Sequence, residues 1–177
     1  MKHPLAAVPF PARKSLFYFF LVVTLIIFGV FQFLDQPLRT PAAPNGIVSY
    51  ELAGSLENAQ SMLNSWDEKA RLAAAFGLGF DYLFMPVYAL ALSLGLLLAS
   101  ANKPTWYLVF TSWLGWGAFV AAGFDAIENY ALWLLLNGEV SAALPPIAGI
   151  CATIKFTLLI AGLVTAAAGL FIKKTSG

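Results

Sequence analysis

Residues 15–34 read SLFYFFLVVTLIIFGVFQFL, a run without a charged residue that directly follows Arg13 and Lys14. Crossing the hydrocarbon core of a bilayer takes about 20 mostly apolar residues. The run is too long for a signal peptide, whose apolar core has about 7–15 residues and a small-residue cleavage site close behind. It therefore predicts a retained transmembrane helix.

Three more apolar stretches follow and predict helices over residues 70–100, 104–136 and 146–172. The chain is 60% hydrophobic and only 11% charged, whereas soluble domains carry about 25% charged residues. These features predict one all-α integral membrane domain over residues 1–177, a four-transmembrane-helix bundle. Pro86 lies inside the second span and predicts a kink that frees the carbonyl of Tyr82.

Residues 35–69 form the one long connection, an outer loop. Prolines at 37, 41 and 44 break any helix at its start. Further on, apolar residues at helical spacing predict a short amphipathic helix that lies in the membrane interface or packs over the mouth of the bundle; they are Leu52, Leu56, Ala59, Leu63 and Trp66. The sequence Ser65-Trp-Asp-Glu68 fits a capping box for the second span.

Lysine and arginine residues predict the orientation, because cytoplasmic loops of membrane proteins carry an excess of them. One side holds Lys2, Arg13, Lys14, Lys103, Lys173 and Lys174. The other side holds Arg39, Lys69 and Arg71 together with most of the acidic residues. Both termini are therefore expected in the cytoplasm, and the long loop outside.

Four charged residues lie inside the predicted spans, namely Asp81, Asp125, Glu128 and Lys155. A charge at the centre of a membrane helix costs about 2.5–3.5 kcal/mol on insertion scales, so each should face protein or water. At a helical rise of about 1.5 Å per residue, the predicted boundaries place all four within about one helical turn of the same depth. The sequence therefore predicts one internal polar layer.

The faces of the helices agree with this prediction. Asp125, Glu128 and Asn129 have the i, i+3, i+4 spacing that puts side chains on one side of a helix. Small residues on the same side permit close helix contact. The candidate polar centre comprises Asp81, Tyr82, Tyr88, Asp125, Glu128, Asn129 and Lys155.

Three functions remain open for this centre. In the first, Lys155 pairs with a carboxylate and the polar groups fix helix register. In the second, three carboxyl groups against one lysine require a bound proton or a cation, which favours proton or cation handling. In the third, Asp125 and Glu128 act as an acid and base pair on an apolar or lipid substrate, with Lys155 tuning them.

The sequence favours a non-catalytic structural, binding or accessory membrane protein, because it contains no nucleophile motif, phosphate loop or cofactor fingerprint. A zinc or di-iron site is disfavoured, since the one histidine is His3 in the N-terminal tail. No cofactor or metal is predicted, and a net charge of +1 does not indicate a nucleic-acid partner. The expected partners are membrane lipids, a small ligand or cation in the polar centre, and a second copy or a larger membrane complex.

Four stretches carry a resemblance to a known group. YELAGSLENAQSMLNSW, FDYLFMPVYALAL, DAIENYALW and IKF, in this order, resemble uncharacterised bacterial inner-membrane proteins with four transmembrane helices. The resemblance covers most of the chain. It implies a bacterial inner membrane and the same helix layout, and it implies no activity.

Overall fold

The computed structural model describes residues 2–173, and every regular element within them is helical. A 3₁₀ turn spans Gln36–Leu38. The α-helices are α1 (Phe10–Leu34), α2 (Ile47–Glu51), α3 (Leu56–Ser65), α4 (Glu68–Ala99), α5 (Thr105–Leu136) and α6 (Leu144–Ala168).

Helices α1, α4, α5 and α6 are long and apolar enough to cross a membrane, which confirms the four long apolar helices expected from the sequence. At about 1.5 Å per residue, the 32 residues of α4 and of α5 extend past the roughly 30 Å of a bilayer core. Helix α1 begins five residues before its predicted start. Pro11 lies in its first turn, where a missing N–H is tolerated because it has no partner inside the helix.

The start of α4 corrects the capping prediction. Asp67 caps the helix, because its Oδ1 accepts a 2.8 Å hydrogen bond from the N–H of Ala70. Ser65 is instead the last residue of α3, and its Oγ donates to the carbonyl of Met62 at 2.7 Å. A residue that ends one helix cannot also take the extended conformation of an N-cap. Helix α4 continues through Pro86, and a kink there stays a prediction.

The predicted amphipathic segment is divided between two helices. Helix α2 ends at Glu51, and Leu52 is exposed. After Gly54, the Oγ of Ser55 accepts from the N–H of Asn58 and begins α3. Leu52 therefore does not share a helix face with the residues after it, which corrects that part of the prediction. Helix α3 buries its Ala59 and Leu63, and its position at a membrane interface stays a prediction.

The chain divides into two compact units, and α1, α4, α5 and α6 each contribute a segment to both. We call residues 25–85 and 123–154 the loop unit, since they include the long connection. We call residues 2–24, 86–122 and 155–173 the terminal unit, since they include both ends of the described chain.

The core of the loop unit forms where the long connection packs on α4, α5 and α6. The rings of Tyr50 and Trp66 meet edge to face, with centroids 5.1 Å apart. The indole N–H of Trp66 donates a 2.8 Å bond to the carbonyl of Leu38. The connection is therefore held by its own buried aromatic residues and does not extend freely from the helices. The buried set is Leu38, Ala43, Tyr50, Ala53, Ala59, Leu63, Trp66, Ala70, Ala74, Leu78, Ala131, Leu132, Leu135 and Ala148.

Two hydrogen bonds to backbone carbonyls connect α5 and the turn before it to α6 and the segment after it in the terminal unit. The hydroxyl of Tyr107 on α5 donates to the carbonyl of Thr165 on α6 at 2.6 Å. In the turn between α4 and α5, Lys103 Nζ donates to the carbonyl of Ile172 at 2.5 Å. These bonds join the beginning of α5 to the end of α6.

Candidate functional site

Helix α5 supplies three polar side chains to the interior. Asp125, Glu128 and Asn129 are buried, with relative exposures of 2%, 0% and 1%. They share one side of α5, because residues three and four apart are neighbours on a helix surface. Leu132 and Leu135 continue the buried face toward the end of α5.

Asn129 joins α5 to α4 in the loop unit. Its Nδ2 donates to Oδ2 of Asp81 at 2.7 Å and, more weakly, to the carbonyl of Leu78 at 3.4 Å. An amide nitrogen has two hydrogens, so these two acceptors account for both. Because Asp81 is only half-buried, the pair lies at the edge of the helix contact.

Tyr82 makes a second link between the same two helices. Its hydroxyl donates a 3.0 Å bond to the carbonyl of Ala126, while its ring is 48% exposed. Leu78, Asp81 and Tyr82 are spaced as one face of α4, as Ala126 and Asn129 are on α5. The two bonds fix the axial position of α4 against α5.

Two of the predicted site residues belong to the terminal unit. Tyr88 is buried there. Lys155 is also buried, and its Nζ lies 4.7 Å from the centroid of the Phe156 ring, within the distance at which an ammonium is attracted to an aromatic face. The loop unit contains Asp81, Tyr82, Asp125, Glu128 and Asn129.

The sequence analysis missed a buried acidic residue in the loop unit. Glu51, which it assigned to the outer loop, is only 7% exposed. Beside it, the hydroxyl of Tyr50 donates to the carbonyl of Leu132 at 3.1 Å. Burial raises the pKa of the Tyr50 phenol, and the nearby Arg71 acts in the opposite direction. The position of Glu51 next to an aromatic residue in a helical stretch was the available signal.

Asp35 organises the beginning of the long connection. Its Oδ1 accepts from the N–H of Ile47 at 2.7 Å, and its Oδ2 pairs with Nε of Arg39 at 2.9 Å. Gly46 has a φ of +58°, and a Cβ there would overlap the carboxylate of Asp35. Only glycine therefore permits this turn to close on Asp35.

The N-terminal tail folds onto α5 in the terminal unit. The imidazole of His3 is buried and occupies the space where a Cβ on Gly115 would lie. The indole N–H of Trp116 donates to the carbonyl of Lys2 at 3.2 Å. Burial, with a smaller effect from Arg13, lowers the pKa of His3 to about 4. The imidazole is therefore neutral at pH 7.

The orientation of the His3 ring follows from one hydrogen bond. Nδ1 accepts from the N–H of Leu5 at 3.2 Å, so the neutral ring carries its proton on Nε2. Within residues 2–173, Nε2 has no hydrogen-bond partner.

The acidic side chains do not converge as a metal site. Among the described residues, no group of three or more His, Cys, Asp or Glu side chains is placed to hold a metal ion. The polar links given above join side chains to backbone carbonyls, to backbone N–H groups or to one another within the protein.

Comparisons of the chain with protein-family models, with curated proteins and with solved structures returned no match.

Proposed function

We propose that this protein is a non-catalytic integral membrane protein whose buried polar centre sets the register of α4 against α5, as in a structural, binding or accessory subunit. The hydrogen bond from Asn129 to Asp81 is the observation that carries this proposal. A polar pair inside a membrane helix contact specifies one alignment, because any shift leaves polar groups without partners in a medium that cannot hydrate them.

The hydrogen-bond donors of Asn129 and Tyr82 are engaged within the protein, which supports a structural role over a catalytic one. Both amide hydrogens of Asn129 and the hydroxyl of Tyr82 have acceptors on the neighbouring helix. A group that acts on a substrate needs a donor or acceptor directed at that substrate. The three contacts instead leave these donors engaged in holding α4 and α5.

We further propose that α1, α4, α5 and α6 cross a bacterial inner membrane, with α3 in its outer interface. Lys and Arg at the beginning of α1, in the turn between α4 and α5 and after α6 support cytoplasmic termini. Lys174, which belongs to the same predicted set, lies outside the described residues.

Cysteine labelling tests this orientation. In a Cys151→Ala background, a membrane-impermeant thiol reagent should label Glu57→Cys from outside intact cells and label Lys14→Cys only after lysis.

The double variant Asp125→Asn with Glu128→Gln tests the function of the centre. Purified in detergent, it should unfold at a lower temperature than the parent protein and should carry the same bound species in native mass spectrometry. Ile127→Val, an exposed change on the same helix, is the control and should alter neither measurement.

The opposite result overturns the structural proposal. A double variant with unchanged thermal stability that has lost a bound ligand, a proton flux in vesicles or a turnover would assign the carboxyl groups to binding, proton handling or catalysis.

A further inference from the structure

Charge is divided very unevenly between the two units. All nine Asp and Glu residues lie in the loop unit. Within residues 2–173, the terminal unit has no acidic residue, and it holds Lys2, Arg13, Lys14, Lys103, Lys155 and Lys173. The small net charge of the whole chain therefore conceals a strongly basic terminal unit.

Two of these lysines belong to one corner of the terminal unit, where the turn before α5 meets the segment after α6. Lys103 Nζ donates to the carbonyl of Ile172, which brings it beside the next residue, the exposed Lys173. An ammonium group has three N–H donors, so this bond leaves two donors of Lys103 for an anion. The described part of the terminal unit contains no Asp or Glu side chain, and the two positive charges attract an anion.

An apolar groove begins two residues beyond Lys103. It is shallow and open to the surroundings, and it runs along α5, lined by Thr105, Trp106, Val109, Phe110 and Trp113. The lining residues recur at helical spacing, so the groove follows one face of α5 for roughly 12 Å. A groove of this composition suits a hydrocarbon chain.

Two exposed aromatic residues lie within three residues of these lysines in the sequence. Trp106 is 62% exposed at the beginning of α5, and Phe171 is 86% exposed next to Ile172. Exposed aromatic rings beside lysines are typical of the headgroup region of a membrane, where the rings lie between acyl chains and water.

We propose that this corner binds one anionic phospholipid, with its phosphate on Lys103 and Lys173 and an acyl chain along the groove from Trp106 to Trp113. This inference rests on the proposed membrane placement of the helices. A nucleic acid would use the two charges and leave the apolar groove empty, whereas a phospholipid has the chemistry for both parts.

The test uses the whole chain, delipidated in detergent and then mixed with vesicles of phosphatidylglycerol or of phosphatidylcholine. The acyl chains are brominated and quench the fluorescence of nearby tryptophans, so the loss of fluorescence measures lipid binding. The parent protein should prefer phosphatidylglycerol. Each of Lys103→Gln and Lys173→Gln should reduce that preference about fivefold, the contribution typical of one basic residue near an anionic surface. Lys69→Gln, which removes an exposed lysine from the loop unit, is the matched control and should leave the preference unchanged.

A second pair of variants tests the groove. Phe110→Ala removes a groove residue and keeps every tryptophan reporter; it should weaken binding of both lipids and retain the preference for phosphatidylglycerol. Ile127→Ala, an exposed change in the loop unit, should weaken neither. Lys103→Arg keeps the positive charge that Lys103→Gln removes, so it should bind phosphatidylglycerol as well as the parent protein does. Thermal unfolding in detergent verifies that each variant is folded.

Equal quenching by the two lipids in the parent protein, or an equal loss in Lys69→Gln, would overturn the lipid site while leaving the membrane placement intact. Complete displacement of the lipid by inorganic phosphate would show that the two lysines bind a free anion and that the groove does not hold an acyl chain. A chain that stays monomeric in buffer without detergent would refute the membrane placement and the lipid site together.

Discussion

The carboxylate of Asp81 on α4 accepts a 2.7 Å hydrogen bond from the side-chain amide of Asn129 on α5. The two residues are far apart in the sequence, and each lies on a helix long and apolar enough to cross a membrane. This bond joins two side chains across the contact between α4 and α5, and its energy is measurable.

Removing either partner of this bond should destabilise the protein. Asn129→Leu leaves the Asp81 carboxylate without its amide donor, which should cost about 1–3 kcal/mol in the free energy of unfolding. A double-mutant cycle with Asp81→Ala, measured by denaturant unfolding in detergent, should give a coupling of roughly 0.6–1.7 kcal/mol. Tyr130→Phe, an exposed change beside Asn129, is the control. A coupling of zero would show that the contact does not contribute to register.

Gly46→Ala should destabilise the loop unit more than Gly54→Ala. Both glycines have positive φ, +58° and +70°, so alanine is strained at either position. Gly46 also has a ψ of −128°, which lies outside the left-handed helical well and is accessible essentially to glycine alone. A Cβ on Gly46 also overlaps the carboxylate of Asp35, whereas a Cβ on Gly54 meets only the carbonyl of Leu52 at 3.9 Å. Thermal unfolding of the two variants measures the combined effect of backbone strain and the Asp35 contact at Gly46, and equal losses would contradict the role given to Asp35.

Gly115→Ala should release the N-terminal tail from α5. The added methyl group occupies the space of the His3 imidazole, so protection of the tail against a protease should fall. Gly123→Ala is the matched control on the same helix, since no atom lies within 4 Å of its Cβ, and it should stabilise α5 by about 0.5–1 kcal/mol. A tail that stays protected in Gly115→Ala would refute its packing on α5.

Docking of the N-terminal tail on α5 should also depend on pH, because His3 can be protonated. Its pKa is lowered by burial, and further by Arg13, from 6.5 to about 4, so the docked state disfavours the protonated ring. The contribution of the neutral His3 ring to the stability of the docked tail is fully present above pH 6.5 and is lost as the pH falls through about 4. Protease protection of the tail should therefore decrease across this range in the parent protein. His3→Phe has no titrating ring, and a profile identical to the parent would exclude His3 as the cause.

The sequence alone determined the four long apolar helices and the buried face of α5. Both follow from local rules, since hydropathy over about 20 residues identifies a span and the i, i+3, i+4 spacing of Asp125, Glu128 and Asn129 identifies a face. These signals depend on residues that are neighbours in the chain. They required no knowledge of which helices meet.

Only the tertiary structure decided which side chains become partners. The bond between Asn129 and Asp81 and the burial of His3 against Gly115 both join residues distant in sequence. Glu51, a residue of the long connection, is buried although it lies outside the four long helices. The periodicity of one helix carries no information about the neighbour it packs against. Asp67, and not Ser65, caps the beginning of α4 for a related reason, because α3 extends to Ser65 when its Ala59 and Leu63 are buried in the core of the loop unit.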